Sequence, residues 1–363
     1  MDIEKLVSFL EYLSPVIVRP SLCSNNITPK SSCQKCMEIC PTQGITLDKN
    51  SIKINDCISC GLCVTVCPNH VFKLNEDQLL EVKEDNNDTL IISCSPLYTK
   101  LENKYKNYVT KINCLGQLYP ELVLKLLATF RKVVIFQDAN HCKQCLQAEI
   151  KILSDLEEYK NVFIDFDNKL FFVNKVADLI PFIKTSNIQP ASGRRSFFKS
   201  IFTGSKTLSK QILNSALENL DAKDNEKIEK LKPLKKQYLL EALKNHNNVN
   251  LSVTLPTKKL KLTNCNFCGV CSRLCPANAI QIKNESEYKQ LIFIPGLCTG
   301  CNICRDVCFY QGLDWSVNLT VKDLISTQPQ ILGEAEKRTC EKCQQDYFEL
   351  TNDENNLCFL CKR

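Results

Sequence analysis

Residues 57–68 read CISCGLCVTVCP. Cys57, Cys60, Cys63 and Cys67 stand at the spacing C-x2-C-x2-C-x3-C, with Pro68 after the last. That spacing dictates a local fold. Three closely spaced cysteines imply a tight loop wrapped about one centre, and the fourth starts a helix pointing at a neighbouring centre. Gly61 carries no Cβ and lets the backbone approach the centre closely. The run recurs twice. CNFCGVCSRLCP supplies Cys265, Cys268, Cys271 and Cys275, with Gly269 inside and Pro276 after. CTGCNICRDVCF supplies Cys298, Cys301, Cys304 and Cys308, with Phe309 in the place of proline.

These residues belong to 24 cysteines in a chain of 363. Besides the three runs, the others group as Cys23, Cys33, Cys36 and Cys40; as Cys94, Cys114, Cys142 and Cys145; and as Cys340, Cys343, Cys358 and Cys361. None is left over. Four is the ligand count of both an iron–sulfur cluster and a structural zinc. The first group departs from the run. CQKCMEICP gives Cys33, Cys36 and Cys40 with Pro41, but Lys30 stands where a leading cysteine belongs. A longer loop from Cys23 would supply the missing ligand; a three-cysteine [3Fe–4S] site, or water as fourth ligand, is the alternative. The last group, CEKC and CFLC, is C-x2-C-x14-C-x2-C and reads as a zinc ribbon of structural or docking use. Rubredoxin-type iron competes there, although the Gly and Pro usual beside rubredoxin knuckles are missing.

Residues 20–76 and 260–315 resemble dicluster bacterial ferredoxins. Between the runs, ITLDKNSIKIND and IQIKNESEYKQLIFIP each read as a two-strand hairpin, as expected between the halves of such a domain. In a two-cluster ferredoxin the fourth cysteine of each run ligates the other cluster. The resemblance therefore implies four [4Fe–4S] sites: Cys23, Cys33, Cys36 with Cys67; Cys57, Cys60, Cys63 with Cys40; Cys265, Cys268, Cys271 with Cys308; and Cys298, Cys301, Cys304 with Cys275.

Residues 89–165 alternate strands and helices: TLIIS, LYTKLENKYK, YVTKIN, PELVLKLLATF, KVVIF, LQAEIKILSDLEEY and NVFIDF. Such alternation predicts a parallel sheet, whose strand C-termini share one edge where ligands bind. Cys94 follows the first strand, Cys114 the second, and Cys142 and Cys145 the third, so the four would meet at that edge. Buried core cysteines are the alternative. The stretch CLGQLYPELVLKLL, with a cysteine after a strand before it and a closing cysteine pair behind it, resembles the iron–sulfur delta subunit of methyl-viologen-reducing hydrogenases. The resemblance implies a [2Fe–2S] cluster on Cys94, Cys114, Cys142 and Cys145. The chain departs from that family in carrying Gln117 for the usual Arg, fewer cysteines near Cys94 and a tighter closing pair. His141 makes a Cys3His set the minor alternative.

The formal net charge is +6, and Lys184–Lys261 holds all of the excess, with 16 Lys and Arg against 6 Asp and Glu. Each four-thiolate site carries about −2, so six sites make the loaded protein acidic and remove the charge argument for nucleic acid. No stretch approaches the roughly 18 apolar residues of a membrane helix. The N-terminus MDIEKLVSFLEYLSPVIVRP has no basic n-region or cleavage site. These features predict a cytoplasmic chain, where disulfides are rare and thiols bind metal. Arg194 and Arg195 in SGRRSFFKSIF imitate a twin-arginine signal but lie deep in the chain, and read as a chance match or a docking segment. LSKQILNSALENL and QYLLEALKNHN are amphipathic and basic; they read as a solvated helical connector, with helices packed between the cluster domains or binding an acidic partner as alternatives.

The expected architecture is α+β and multidomain. A dicluster module (1–76) precedes an α/β cysteine-cluster domain (88–183), a basic helical linker (184–259), a second dicluster module (260–320) and a zinc-ribbon tail (337–363). No nucleotide-binding motif or catalytic triad occurs. The expected function is single-electron transfer between donor and acceptor oxidoreductases, with a reductase subunit or a maturation and docking factor as alternatives.

Overall fold

The computed structural model describes residues 16–48, 51–74, 89–146, 152–185, 234–326, 328–350 and 356–362. The Arg194–Arg195 segment and the helix expected at 208–220 lie outside them. Among the described residues, no helix is long and apolar enough to cross a membrane.

The N-terminal segment pairs β1 (Val16–Val18) with β4 (Phe72–Leu74), antiparallel. Between them lies the expected hairpin of β2 (Ile45–Asp48) and β3 (Ser51–Ile54). Short helices Lys35–Ile39 and Leu62–Val66 end at Cys40 and Cys67, so the fourth cysteine of these runs closes a helix and does not start one.

The middle domain is a four-stranded parallel sheet of β5 (Thr89–Cys94), β6 (Thr110–Ile112), β7 (Lys132–Phe136) and β8 (Leu170–Val173), in the order β6-β5-β7-β8. Every residue of β5 is buried, as its central place requires. The helix Pro120–Thr129 starts on proline, whose missing N–H is harmless there, and buries Leu122, Val123, Leu124, Leu126 and Leu127. The fourth strand is not NVFIDF. Val162 and Phe163 are both buried in succession while Ile164 is exposed, which no half-buried strand allows. That segment bonds the loop at Asn248–Asn250 instead, through Ile164 N–H to Asn248 O and Asn250 N–H to Val162 O, both 2.9 Å. The sheet takes LFFV, residues 170–173, as its edge. The expected helix LYTKLENKYK is also broken, into Ser95–Lys100 and Asn103–Lys106.

The helix Leu234–Asn245 is no solvated connector. It buries Lys236, Tyr238, Leu239, Ala242 and Leu243, and packs on Pro120–Thr129. Its residues share one core with the N-terminal segment and the parallel sheet.

The C-terminal module has a second core. It pairs β9 (Thr254–Leu262) with β12 (Leu313–Thr320), so its first strand begins before residue 260. Its hairpin, β10 (Ile280–Asn284) and β11 (Tyr288–Phe293), is widened by β13 (Gln330–Thr339) and β14 (Asp346–Phe348) into a four-stranded antiparallel sheet. β13 runs directly into Cys340, so the tail grows out of the module's own sheet.

Leu127 is fully buried in the core shared by the middle domain and the N-terminal segment. Leu127→Ala is expected to lower unfolding stability by about 2–5 kcal/mol in a denaturant titration.

Candidate metal centres

Backbone conformation repeats from one cysteine run to the next. In the run from Cys57, Ser59 and Gly61 have φ of 54° and 77°; from Cys265, Phe267 and Gly269 have 54° and 77°. From Cys298, Gly300 and Asn302 have 72° and 66°. Three residues after each fourth cysteine the left-handed conformation returns, at Gln43, His70, Asn278 and Gln311, with φ between 50° and 55°. Such angles cost non-glycine residues energy, and their recurrence at matching places marks a functional constraint. The turn aims backbone N–H groups at sulfur. Val71 donates to Cys67 Sγ at 3.4 Å, Ala279 to Cys275 Sγ at 3.2 Å and Gly312 to Cys308 Sγ at 3.3 Å. Phe267 likewise donates to Cys265 Sγ at 3.3 Å.

The thiols gather in fours. Burial pushes the Cys36 thiol up to about 12, and its neighbours Cys67, Cys23 and Cys33 push the same way. This first set therefore includes Cys23, which arrives from a turn at Pro20–Leu22 and opens the short helix Ser24–Ile27. Cys63 is likewise raised to about 12 by burial and by Cys60, Cys57 and Cys36, while Cys60 is raised by burial and then by Cys40 and Cys57. Cys40, Cys57, Cys60 and Cys63 make the second set. Burial raises Cys298 to about 11, with Cys301 and Cys275 adding to it, and puts Cys304 well above its usual range, beside Cys298, Cys301, Cys275 and Cys271. Cys275, Cys298, Cys301 and Cys304 form the third set. In the fourth, burial takes Cys271 to about 12, with Cys265, Cys268 and Cys308 around it. The Cys36–Cys63 and Cys271–Cys304 proximities join the sets pairwise within each module.

The middle domain brings Cys94, Cys114, Cys142 and Cys145 together. Burial raises Cys114 to about 12, with Cys60, Cys94 and Cys142 adding; burial also raises Cys142, beside Cys94 and Cys145. Cys94 ends β5, and Cys142 and Cys145 lie three apart on the helix Ala139–Leu146, hence on one face. Asp138 Oδ1 starts that helix by accepting from the N–H groups of Asn140 and His141, at 3.1 and 3.2 Å. In the order β6-β5-β7-β8 the switch point lies between β5 and β7, the place where ligands bind in such sheets. The Gly116 N–H donates to Cys114 Sγ at 3.4 Å, as Phe267 does to Cys265. His141 Nε2, beside Cys142 in sequence, is buried without a hydrogen-bond partner.

The middle set abuts the second. Thr65 Oγ1 donates to Gly116 O at 2.7 Å, and Gln117 Nε2 donates to Ser59 O at 3.2 Å. Gln117 thus clamps the loop that carries Cys57 and Cys60. A Cβ on Gly116 would stand 2.8 Å from Cys60 O.

The two modules also meet at a cysteine loop. Thr299 Oγ1, inside CTGC, bonds Asn69 Oδ1 at 2.9 Å, and Asn69 Nδ2 donates to Leu22 O at 3.0 Å and to Ser24 Oγ at 3.2 Å. Asn69 is 1% exposed and ties the loops of Cys23, Cys67 and Cys298 together. Nothing in its sequence context marked it. Lys235 Nζ donates to Thr65 O and Cys67 O, the latter at 3.1 Å.

In the tail, the sulfurs of Cys340, Cys343, Cys358 and Cys361 all lie within 4.8 Å of one another. The Cys358 N–H donates to Cys340 Sγ at 3.3 Å and, as the largest influence, helps lower that thiol to about 6. The tail leans on the fourth set: Leu350 N–H donates to Cys265 O at 2.8 Å, and Phe359 meets Tyr310 edge to face at 4.2 Å.

None of the 24 cysteines forms a disulfide. Buried thiols held high cannot ionise together unless a cation sits among them, so these sets suit metal and cluster cores. Gly61 combines φ of 77° with a would-be Cβ 2.5 Å from Gln117 Cγ. Gly61→Ala is expected to displace the loop of Cys57, Cys60 and Cys63; the check is a colorimetric iron assay, with about 4 Fe per chain fewer than in the unaltered protein.

Comparison with protein families matches residues 31–71 and 264–312 to the 4Fe-4S dicluster domain. Each match holds two cysteine runs of one module, although the first begins past Cys23. No curated protein and no solved structure matches the chain. The chain is thus a mixed helix-and-sheet protein with two segments of 4Fe-4S dicluster type, a parallel sheet between them and a cysteine cluster at its C-terminal end.

Proposed function

We propose that this protein relays single electrons between a donor and an acceptor oxidoreductase. The observation that carries the reading is the adjacency of the cysteine sets. The middle set lies within electrostatic reach of the second through Cys114 and Cys60, and the second of the first through Cys63 and Cys36. The first meets the third across Asn69 and Thr299, and the third meets the fourth through Cys304 and Cys271. Exposure follows that order. Cys145 and Cys268, at the two ends, are exposed, as is Cys57, whereas neither set at the junction between modules has an exposed cysteine. A relay needs accessible ends and a shielded interior.

In this reading the first, second, third and fourth sets each hold a [4Fe–4S] cluster, the middle set a [2Fe–2S] cluster and the tail a zinc ion. When bound, the clusters supply one-electron chemistry at potentials tuned by hydrogen bonds and burial. The chain's own part is to hold them, to aim N–H groups at their sulfurs and to keep water from the junction. The likeness to the hydrogenase delta subunit rests on the Cys114–Leu127 stretch and supports the [2Fe–2S] assignment. Zinc is favoured in the tail because four thiols converge on one small site. A cytoplasmic location and protein redox partners complete the proposal.

A second reading, a reductase subunit with a catalytic middle cluster, draws on one observation. Cys145 is exposed, and a cavity of about 550 Å³ lies along the edge strand β8, lined by Gln137, Phe171, Phe172, Val173, Asn174, Asp178 and Phe182. A substrate-dependent change in the spectrum of the isolated protein would favour it over the relay.

Protein purified without oxygen is expected to contain about 18 Fe, 18 acid-labile sulfide and one Zn per chain. About 16 Fe would remove the middle cluster, and zinc with little sulfide would end the electron-transfer reading.

A further inference from the structure

The two modules meet where the chain also places two adjacent lysines, Lys235 half-buried and Lys236 buried. Lys235 and Lys236 open the helix Leu234–Asn245, and Lys236 is 9% exposed. Lys235 Nζ bonds Thr65 O and Cys67 O, and it lies 5.1 Å from the centre of the Tyr119 ring. Carbonyl oxygens accept hydrogen bonds and an aromatic face attracts cations, so all these partners suit an ammonium, a donor-only group. Lys236 Nζ turns to the other module, where it bonds Thr257 Oγ1 at 3.3 Å and lies within electrostatic reach of Cys298. Glu121 faces both amines.

A buried cation is costly unless negative charge compensates it. Glu121 supplies part of that compensation, and the thiolate sets supply the rest: Cys67 belongs to the first and Cys298 to the third. Resting on the relay reading, we propose that Lys235 and Lys236 are potential-setting residues that raise the reduction potentials of the clusters on the first and third sets. Reduction adds negative charge to a cluster, and a fixed cation in a poorly screened interior favours the more negative state. These two sets have no exposed cysteine, so the charge acts there with little solvent screening. The consequence is a relay whose inner clusters hold electrons more readily than its outer ones. The two modules are thereby coupled at their junction.

The test is a redox titration of the full-length, cluster-loaded protein, followed by EPR, with Lys235→Met, Lys235→Gln, Lys235→Arg and Lys236→Met. Lys235→Gln keeps an N–H donor for the carbonyls of Thr65 and Cys67 but removes the charge, and it serves if the methionine variant fails to hold iron. The expected result is a lower midpoint for the first-set cluster in Lys235→Met and Lys235→Gln. Lys236→Met lowers the third-set midpoint, and Lys235→Arg leaves the midpoints where they were. Unchanged midpoints in the charge-removing variants, with iron and sulfide intact, would overturn the lysine inference and leave the relay standing. An equal shift of every cluster would overturn it too, because it would report a general structural effect. Absence of reducible iron–sulfur signals in the unaltered protein would overturn the relay reading and the lysine inference together.

Discussion

Four sulfur atoms held together out of water cannot all be ionised unless a positive core stands among them. That constraint runs through the structure. Burial drives Cys36, Cys63, Cys114 and Cys271 each to about 12, far from thiolate at neutral pH, so the sets are poorly suited to remain bare. The local conformation answers the same need. Left-handed residues at matching places in the runs turn N–H groups onto the sulfurs, and each such donor stabilises negative charge there. A bound core would complete an arrangement whose donors are already aimed.

The second level of organisation is the contact between sets. Three short links hold them in series: the Gly116–Gln117 turn on the Cys57–Cys60 loop, Asn69 on Thr299, and Leu350 on Cys265. Each link is a hydrogen bond to a loop that itself carries a cysteine. The parallel sheet and the helix Leu234–Asn245 supply the rigid body behind these links, through a core common to the middle domain and the N-terminal segment.

Much of this was legible in the sequence because cysteine spacing is a short-range signal. C-x2-C-x2-C-x3-C specifies a loop whatever surrounds it, and the hairpins between runs alternate as strands do. The parallel sheet followed from alternating strands and helices, and its C-terminal edge followed from parallel pairing. What was missed depends on tertiary partners. NVFIDF has strand composition, yet its buried pair Val162–Phe163 finds the Asn248–Asn250 loop before it finds the sheet. Lys235 and Lys236 precede QYLLEALKNHN inside the stretch read as a basic linker, and nothing local sets them apart; the carbonyls of Thr65 and Cys67 that receive Lys235 lie far away in sequence. Asn69 carries no motif, and its role appears only when three loops converge on it.

The central claim is that both dicluster segments and the middle set form one continuous series. Magnetic coupling between reduced clusters tests this most directly, because it depends on their proximity and not on any partner enzyme. In EPR of the fully reduced, full-length protein, the series predicts broadened, spin-coupled signals that link clusters of the N-terminal and C-terminal modules. Weakening the junction with Asn69→Ala should reduce that inter-module coupling while each module keeps its own. A spectrum equal to the sum of two independent dicluster modules and an isolated middle cluster would contradict the account.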